Sequence, residues 1–316
     1  MSVRWKGILA ATMIGVCSAG LLAAQELEQN RAPIQLHYQW QPGTTYRTFM
    51  DMDMSMSFPM GDQTLDQKTH MEMAMSMAAS DAGQGNIRLD SKYDRMAMTV
   101  DAMGQQMTFD SDTPDAQSPL AMVGQMIGKE FTMTFDEDNQ IVEMDMQNIF
   151  DAMGMDPNAK QIAGQFMNEE QMSQMLQTWI TQFFPEKPVK AGDVWPLDVD
   201  WNLTGFGSMS FKGSFTLAGF TKYEGHDCAA IDMNATVDMD LSGDDSTPEE
   251  LSMLKQMGMS ISGGTSSGRI YWDNELGWMR GMTMDQQFTM TMKSPQDGST
   301  MEMPMKQISS MRVEVE

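Results

Sequence analysis

The chain has 316 residues, with 44 Asp and Glu against 20 Lys and Arg, for a formal net charge of −24. That balance speaks against nucleic acid or an anionic membrane surface as partners, because both need a basic face. The dispersed acids instead suit solubility, keeping the outer faces of strands from sticking to other chains.

The first 24 residues read as an export signal. Arg4 and Lys6 precede an uncharged apolar run from Gly7 to Ala24, and Leu22-Ala23-Ala24 offers small residues before a cut. The alternative is an uncleaved anchor, since the run is about the ~18 residues at which a spanning helix becomes feasible. Lipidation at Cys17 is disfavoured by the bulky Val16 before it. Cleavage leaves 18 bases against 44 acids, a net −26, and a single cysteine, Cys228. No intramolecular disulfide is then available, and a free thiol in an oxidising compartment is expected to be hidden. Such a protein is expected to be periplasmic or secreted, with no stable membrane insertion after signal cleavage.

Residues 25–145 form an N-terminal β-rich half. Gln35–Trp40 reads as a short strand. Tyr46–Phe58 is a long one, in which Met50, Met52, Met54 and Met56 alternate with Asp51, Asp53, Ser55 and Ser57. Alternation of period two places successive side chains on opposite faces of a strand, so the methionines form one face of a sheet. Pro59-Met60-Gly61-Asp62 is a turn, and Asp66–Ala79 returns with Met71, Met73, Met75 and Met77. Ser80–Gly85 is a further turn, Ile87–Val100 a third strand and Gln106–Phe109 a fourth. Leu120–Ile127 reads as a short helix. Lys129–Phe135 and Gln140–Met144 read as a hairpin around Asp136-Glu137-Asp138-Asn139.

Residues 146–188 change period. Phe166, Met172, Met175, Leu176, Trp179, Ile180 and Phe183 recur at threes and fours, a helical stripe. Asn168 with the following acids is an N-terminal cap, and Pro185 and Pro188 stop the helix. Residues 189–316 form a C-terminal β-rich half. Its candidate strands are Trp201–Tyr223, His226–Leu241, Ser260–Asp273, Trp278–Lys293 and Thr300–Val315, with a short helix from Thr247 to about Met257. Met282, Met284, Met290 and Met292 continue the alternating stripe, as do Met301, Met303 and Met305. The fold class is therefore mainly β: two antiparallel curved sheets or half-barrels with a helical insert between them.

Pro42-Gly43-Thr44-Thr45-Tyr46, Asp193-Val194-Trp195-Pro196 and Gly268-Arg269-Ile270-Tyr271-Trp272-Asp273, together with the export signal, resemble an uncharacterised family of exported bacterial proteins, a domain of unknown function. The architecture is also similar to the half-barrels of envelope lipoprotein and lipid carriers. The resemblance supplies no catalytic residue.

Three groups of residues suggest chemistry. Thioethers are soft ligands that select Cu(I), and Thr69-His70-Met71-Glu72-Met73 makes His70, Met71, Met73 and Met75 candidate copper ligands. Within one strand, however, His70 and Met71 point apart, so a site using His70 needs methionines from elsewhere. His226-Asp227-Cys228 suggests a nucleophile, but strand neighbours again face apart. Asp136–Gln140 lacks the full calcium loop. No serine elbow, paired zinc histidines or phosphate-binding glycine loop is present, so no enzyme and no cofactor are expected. The leading expectation is a binding or scaffold protein of the bacterial envelope. Its partner is an apolar ligand (a lipid, or the acyl chain of a lipoprotein) or an envelope protein. The ligand face comprises the methionines of the three stripes at 50–56, 71–77 and 282–292. A Cu(I) or Ag(I) handler and a plain interaction module with a filled core are the alternatives.

Overall fold

Backbone pairing joins the two halves of the chain into one sheet. In the computed structural model, which describes residues 27–60, 63–102, 104–115, 121–146, 148, 169–203, 207–241, 259–293 and 300–316, strand accounts for 72% and helix for 6%, so the mainly β reading holds. The first half supplies β1 (Thr45–Met60), β2 (Gln63–Gly83), β3 (Asn86–Ala102), β4 (Gln105–Asp110), β5 (Glu130–Phe135) and β6 (Ile141–Asp145). A 3-10 turn at Ala121–Met126 stands where a short helix is expected. The second half supplies β7 (Val194–Leu203), β8 (Gly207–Tyr223), β9 (His226–Leu241), β10 (Met259–Asp273), β11 (Trp278–Lys293) and β12 (Thr300–Val315). Between the halves lies α1 (Glu169–Phe183).

Every neighbouring pair is antiparallel. The order is β6-β5-β3-β2-β1-β12-β11-β10-β9-β8-β7, with β4 beside β3. The first and last long strands thus pair with each other, Tyr46 opposite Val315 through Met56 opposite Met305. The sheet stays open between β6 and β7. Helix α1 spans that seam. Gln177 accepts from the Ile141 amide of β6 at 2.8 Å, and Trp195 of β7 donates its indole N–H to the Phe183 carbonyl at 3.0 Å.

The sheet curls tightly. Phe135 on β5 and Trp278 on β11 lie five strands apart, or roughly 24 Å on a flat sheet at about 4.8 Å per strand. Both rings nevertheless pack on Trp40, with centroids at 5.6 and 4.4 Å. The wall is therefore a half-barrel wrapped around the segment that carries Trp40.

That segment corrects one expectation. Gln35–Trp40 is extended but is no strand of the sheet. Leu36 and Trp40 are buried while Gln35, His37 and Gln39 are exposed, which produces strand-like alternation. Its backbone is tied only at points: Ile34 exchanges two 2.8 Å bonds with Val189, and Gln39 donates to the Gly277 carbonyl at 3.0 Å. It is a strap with one side buried against the sheet and the other open to solvent. A second correction concerns Trp201–Tyr223, expected as one strand. Leu203 pairs with Gly207, so the chain reverses between them and two strands result. Pro196, which has no N–H, sits on β7 at the sheet edge, where a ladder donor is not needed. The export signal, Asn168 and the short helix from Thr247 lie outside the described residues.

Two apolar clusters share Trp278 and Met279. The larger holds Leu36, Phe183, Trp195, Phe215, Ile231 and Trp272; the smaller holds Trp40, Tyr46, Leu89, Phe135 and Val313. Together they form a solid aromatic plug at one end of the half-barrel. Cys228 is buried and free, and burial pushes its thiol up to about 12, with the nearby Asp273 charge adding to the effect. It is hidden, as the sequence leads one to expect.

Candidate functional site

Methionine is a good helix former and an indifferent strand former, so period and pairing, not propensity, place it here. Across the sheet, register aligns the stripes into rows. Met96, Met73, Met50, Met311 and Met282 stand side by side on β3, β2, β1, β12 and β11. The next row is Met98, Met71, Met52, Ser309 and Met284, and further along Met303 pairs with Met290 and Met301 with Met292. The structure therefore brings all twelve expected ligand-face methionines onto one inner face. Met50, Met52, Met54, Met56, Met71, Met73, Met75, Met282, Met284, Met290 and Met292 are half-buried, and only Met77, near the plug, is fully covered. Sequence periodicity identified these residues; it could not show that Met96, Met98, Met303, Met305 and Met311 complete the rows, because that depends on which strands pair.

The same face lacks charge. On β1 the inward residues run Tyr46, Thr48, four methionines and Phe58; on β12 they run from Met301 by twos to Val315. None carries a charge, nor do the inward positions of β2, β3, β10 and β11 that pair with them from Leu65 to Ala79, Leu89 to Ala102, Ile261 to Trp272 and Met282 to Met292. Acids and bases alternate onto the other side, where Asp51, Asp53, Glu72, Arg95, Lys306 and Arg312 sit. A cavity of about 430 Å³ opens on that charged side, where Phe49, Asp51, Glu72, Arg95 and Arg312 line it over the strands that carry Met50, Met73, Met282 and Met311. The Arg312 guanidinium lies 4.5 Å over the Phe49 ring.

His70 belongs to the charged face, opposite Met71. Its Nδ1 is 3.0 Å from an Asp53 carboxylate oxygen, and its Nε2 is 4.0 Å from Asp51 and 3.6 Å from Glu72. Glu72 also accepts from Arg95 at 2.7 Å, and Arg95 reaches Asp110 and Asp112. This is a network of hard oxygen donors around one imidazole, and the soft sulfurs lie on the far side of the sheet. The hydrogen bond that His70 donates to the Asp53 carboxylate, aided by the Asp51 charge, raises the His70 pKa above the ordinary imidazole value. A group whose pKa is raised on folding adds stability that is complete below the unfolded value of about 6.5 and disappears as pH climbs through the raised midpoint. An NMR titration of the His70 ring is expected to show a midpoint above that of a free imidazole, and Asp53→Asn is expected to bring it down. A midpoint unmoved by Asp53→Asn contradicts the assignment.

The remaining candidates do not assemble. Asp227 pairs with Lys222 and Arg31 on the surface, whereas Cys228 is buried on the other side of β9. Asp136 spends one carboxylate oxygen on its own turn, accepting from the Asp138 and Gln140 amides at 3.0 and 2.8 Å.

The model of a family described as "Family of unknown function (DUF6263)" matches residues 84–279. No curated protein matches the chain. Among solved structures, DynF from the dynemicin biosynthesis pathway of Micromonospora chersina aligns at 8% identity and a TM-score of 0.24, over 92% of this chain and 89% of that one. An outer membrane channel from Pseudomonas putida F1 aligns at 6% identity and a TM-score of 0.24, over 90% and 100%. A DUF1329 family protein from Desulfovibrio piger aligns at 8% identity and a TM-score of 0.14, over 85% and 84%. Scores this low carry no argument about fold or function.

Proposed function

Taking as premise that the chain belongs to the DUF6263 family of unknown function, we propose that it is an exported, non-enzymatic binding or scaffold protein of the bacterial envelope, which holds an apolar ligand against its methionine-lined inner face. One observation carries the reading: a wide inner wall with no charge, built from flexible thioether side chains left half-buried. A core meant only to be filled is more economically built from branched residues with fixed rotamers; methionine adapts to variable apolar guests. The polarity also runs opposite to that of a membrane-spanning barrel, whose outward face is apolar and whose lumen is polar. Here the charges face outward. The test is native mass spectrometry of the protein purified from envelopes, followed by organic extraction. Co-purified lipid in stoichiometric amount is the expected result. A preparation that never carries or takes up lipid overturns it.

A second reading has its own support. Five methionines from five adjacent strands share one row, Met96 to Met282, so several sulfurs are available to a soft ion without His70. Anaerobic calorimetry with Cu(I) separates the two: micromolar or weaker binding disposes of the metal reading and leaves the lipid one standing.

A further inference from the structure

The inner wall is not uniformly apolar. Beyond the rows of Met50 and Met52, the next one reads Thr69, Met54, Gln307, Gln286 and Ser266 across β2, β1, β12, β11 and β10. Gln307 and Gln286 stand directly opposite each other, and Gln286 donates to the Ser266 hydroxyl at 3.2 Å. Ser266 is fully buried and both glutamines are half-buried. Methionines flank this band on both sides, Met52 and Met284 towards the plug, Met56 and Met305 away from it. From Met54 to the buried Thr48 the wall runs six residues along β1, roughly 20 Å at about 3.4 Å per residue. That is a long apolar stretch ending in paired carboxamides, with no ionic group along it.

Building on the reading of the inner face as a lipid site, we propose that the ligand is a neutral acyl ester whose carbonyl group is held at the Gln286–Gln307 pair while its chain lies over the Met50 and Met52 rows towards the plug. A carboxamide both donates and accepts, which matches an uncharged ester or amide. A free carboxylate or a phosphate placed there would be buried without a cation, a cost that neutral wall groups do not offset. The wall thus selects against fatty acids and charged phospholipid heads by omitting the lysine or arginine that would pair with them. The ester could come from a glyceride or from an acylated protein; the chemistry recognised is the same.

The full exported chain, freed of lipid, is titrated with methyl laurate and with laurate at pH 8. Binding is followed by carbonyl-13C NMR of each ligand. The ester is expected to bind about tenfold or more tightly than the carboxylate, with its carbonyl resonance shifted by hydrogen bonding. Gln307→Lys is expected to reverse the preference by supplying the missing cation, and Gln286→Leu to remove the carbonyl shift while still admitting the chain. Laurate binding as tightly as the ester to the unaltered protein overturns this inference and leaves the lipid-site reading intact. Failure of both ligands to bind sinks the lipid-site reading and this inference with it.

Discussion

Trp272→Ala is expected to lower folding stability by about 3–5 kcal/mol, the cost of truncating a fully buried indole. Trp272 is 0% exposed. Its ring meets Tyr38 of the strap at 5.1 Å, Phe183 and Phe184 at the end of α1 at 5.5 and 4.9 Å, and Trp278 of β11 at 6.3 Å. One side chain therefore holds strap, helix and sheet together, and its removal leaves a space that no single element can collapse to fill. The indole N–H has no partner among the described residues, so the loss is one of packing alone. For that reason Trp272→Phe is expected to be far milder than Trp272→Ala: it keeps a ring and discards a buried, unpaired donor. Urea denaturation followed by circular dichroism gives both numbers. A fall in midpoint at constant slope reports stability itself. Equal losses for Phe and Ala would show that the indole N–H matters, and would place an unseen acceptor beside it.

Much of this architecture was readable in the sequence because alternation of period two survives any detail of packing. Each long strand from Thr45 to Gly83 and from Met259 to Val315 shows it, and the inner face follows directly. Alternation, however, reports one-sided burial and not membership of a sheet. Leu36 and Trp40 alternate as well as any strand residues, yet their backbone is tied to its neighbours only at isolated points. The break between β7 and β8 was signalled weakly by Gly205 and Gly207 within Trp201–Tyr223. The pairing of β1 with β12 left no local trace, since it joins residues more than two hundred apart, and the completed methionine rows depend on it. The glutamine band was invisible for the same reason: Gln286 and Gln307 are unremarkable until register sets them side by side. The three short phrases that marked the family turn out to be architectural. Tyr46 accepts a bond from the Gln41 amide in the plug, and Trp195 anchors α1. Arg269 grips Asp232 with two bonds of 2.6 and 2.9 Å, and Asp273 closes a hairpin.

That hairpin yields the second large effect. Asp273→Ala is expected to cost about 3–5 kcal/mol, because it strands a nearly buried cation. One Asp273 carboxylate oxygen accepts from the Glu275 and Leu276 amides, both at 3.0 Å; the other accepts from Arg280 Nε at 2.9 Å; and its main-chain carbonyl takes the Gly277 amide at 2.9 Å. The two side chains are only 8% and 12% exposed. Alanine leaves the guanidinium without its counter-ion and two turn amides without an acceptor. The damage does not stop at the turn. Gly277 adopts φ +68°, open to glycine at little cost, and its carbonyl receives the strap at Gln39. A distorted turn therefore loosens the strap on which Trp40 and Tyr38 ride, and protease cleavage near Gln39 is expected to accelerate with the loss of stability. Asp273→Asn keeps an acceptor for the turn amides while giving up the charge, so it should fall between wild type and alanine. Adding Arg280→Met to Asp273→Ala should recover part of the loss, since it removes the orphaned charge and supplies apolar volume. If Asp273→Ala stays within about 1 kcal/mol of wild type, or if Arg280→Met deepens its defect, the pair is not the clip that holds the strap beneath the methionine wall.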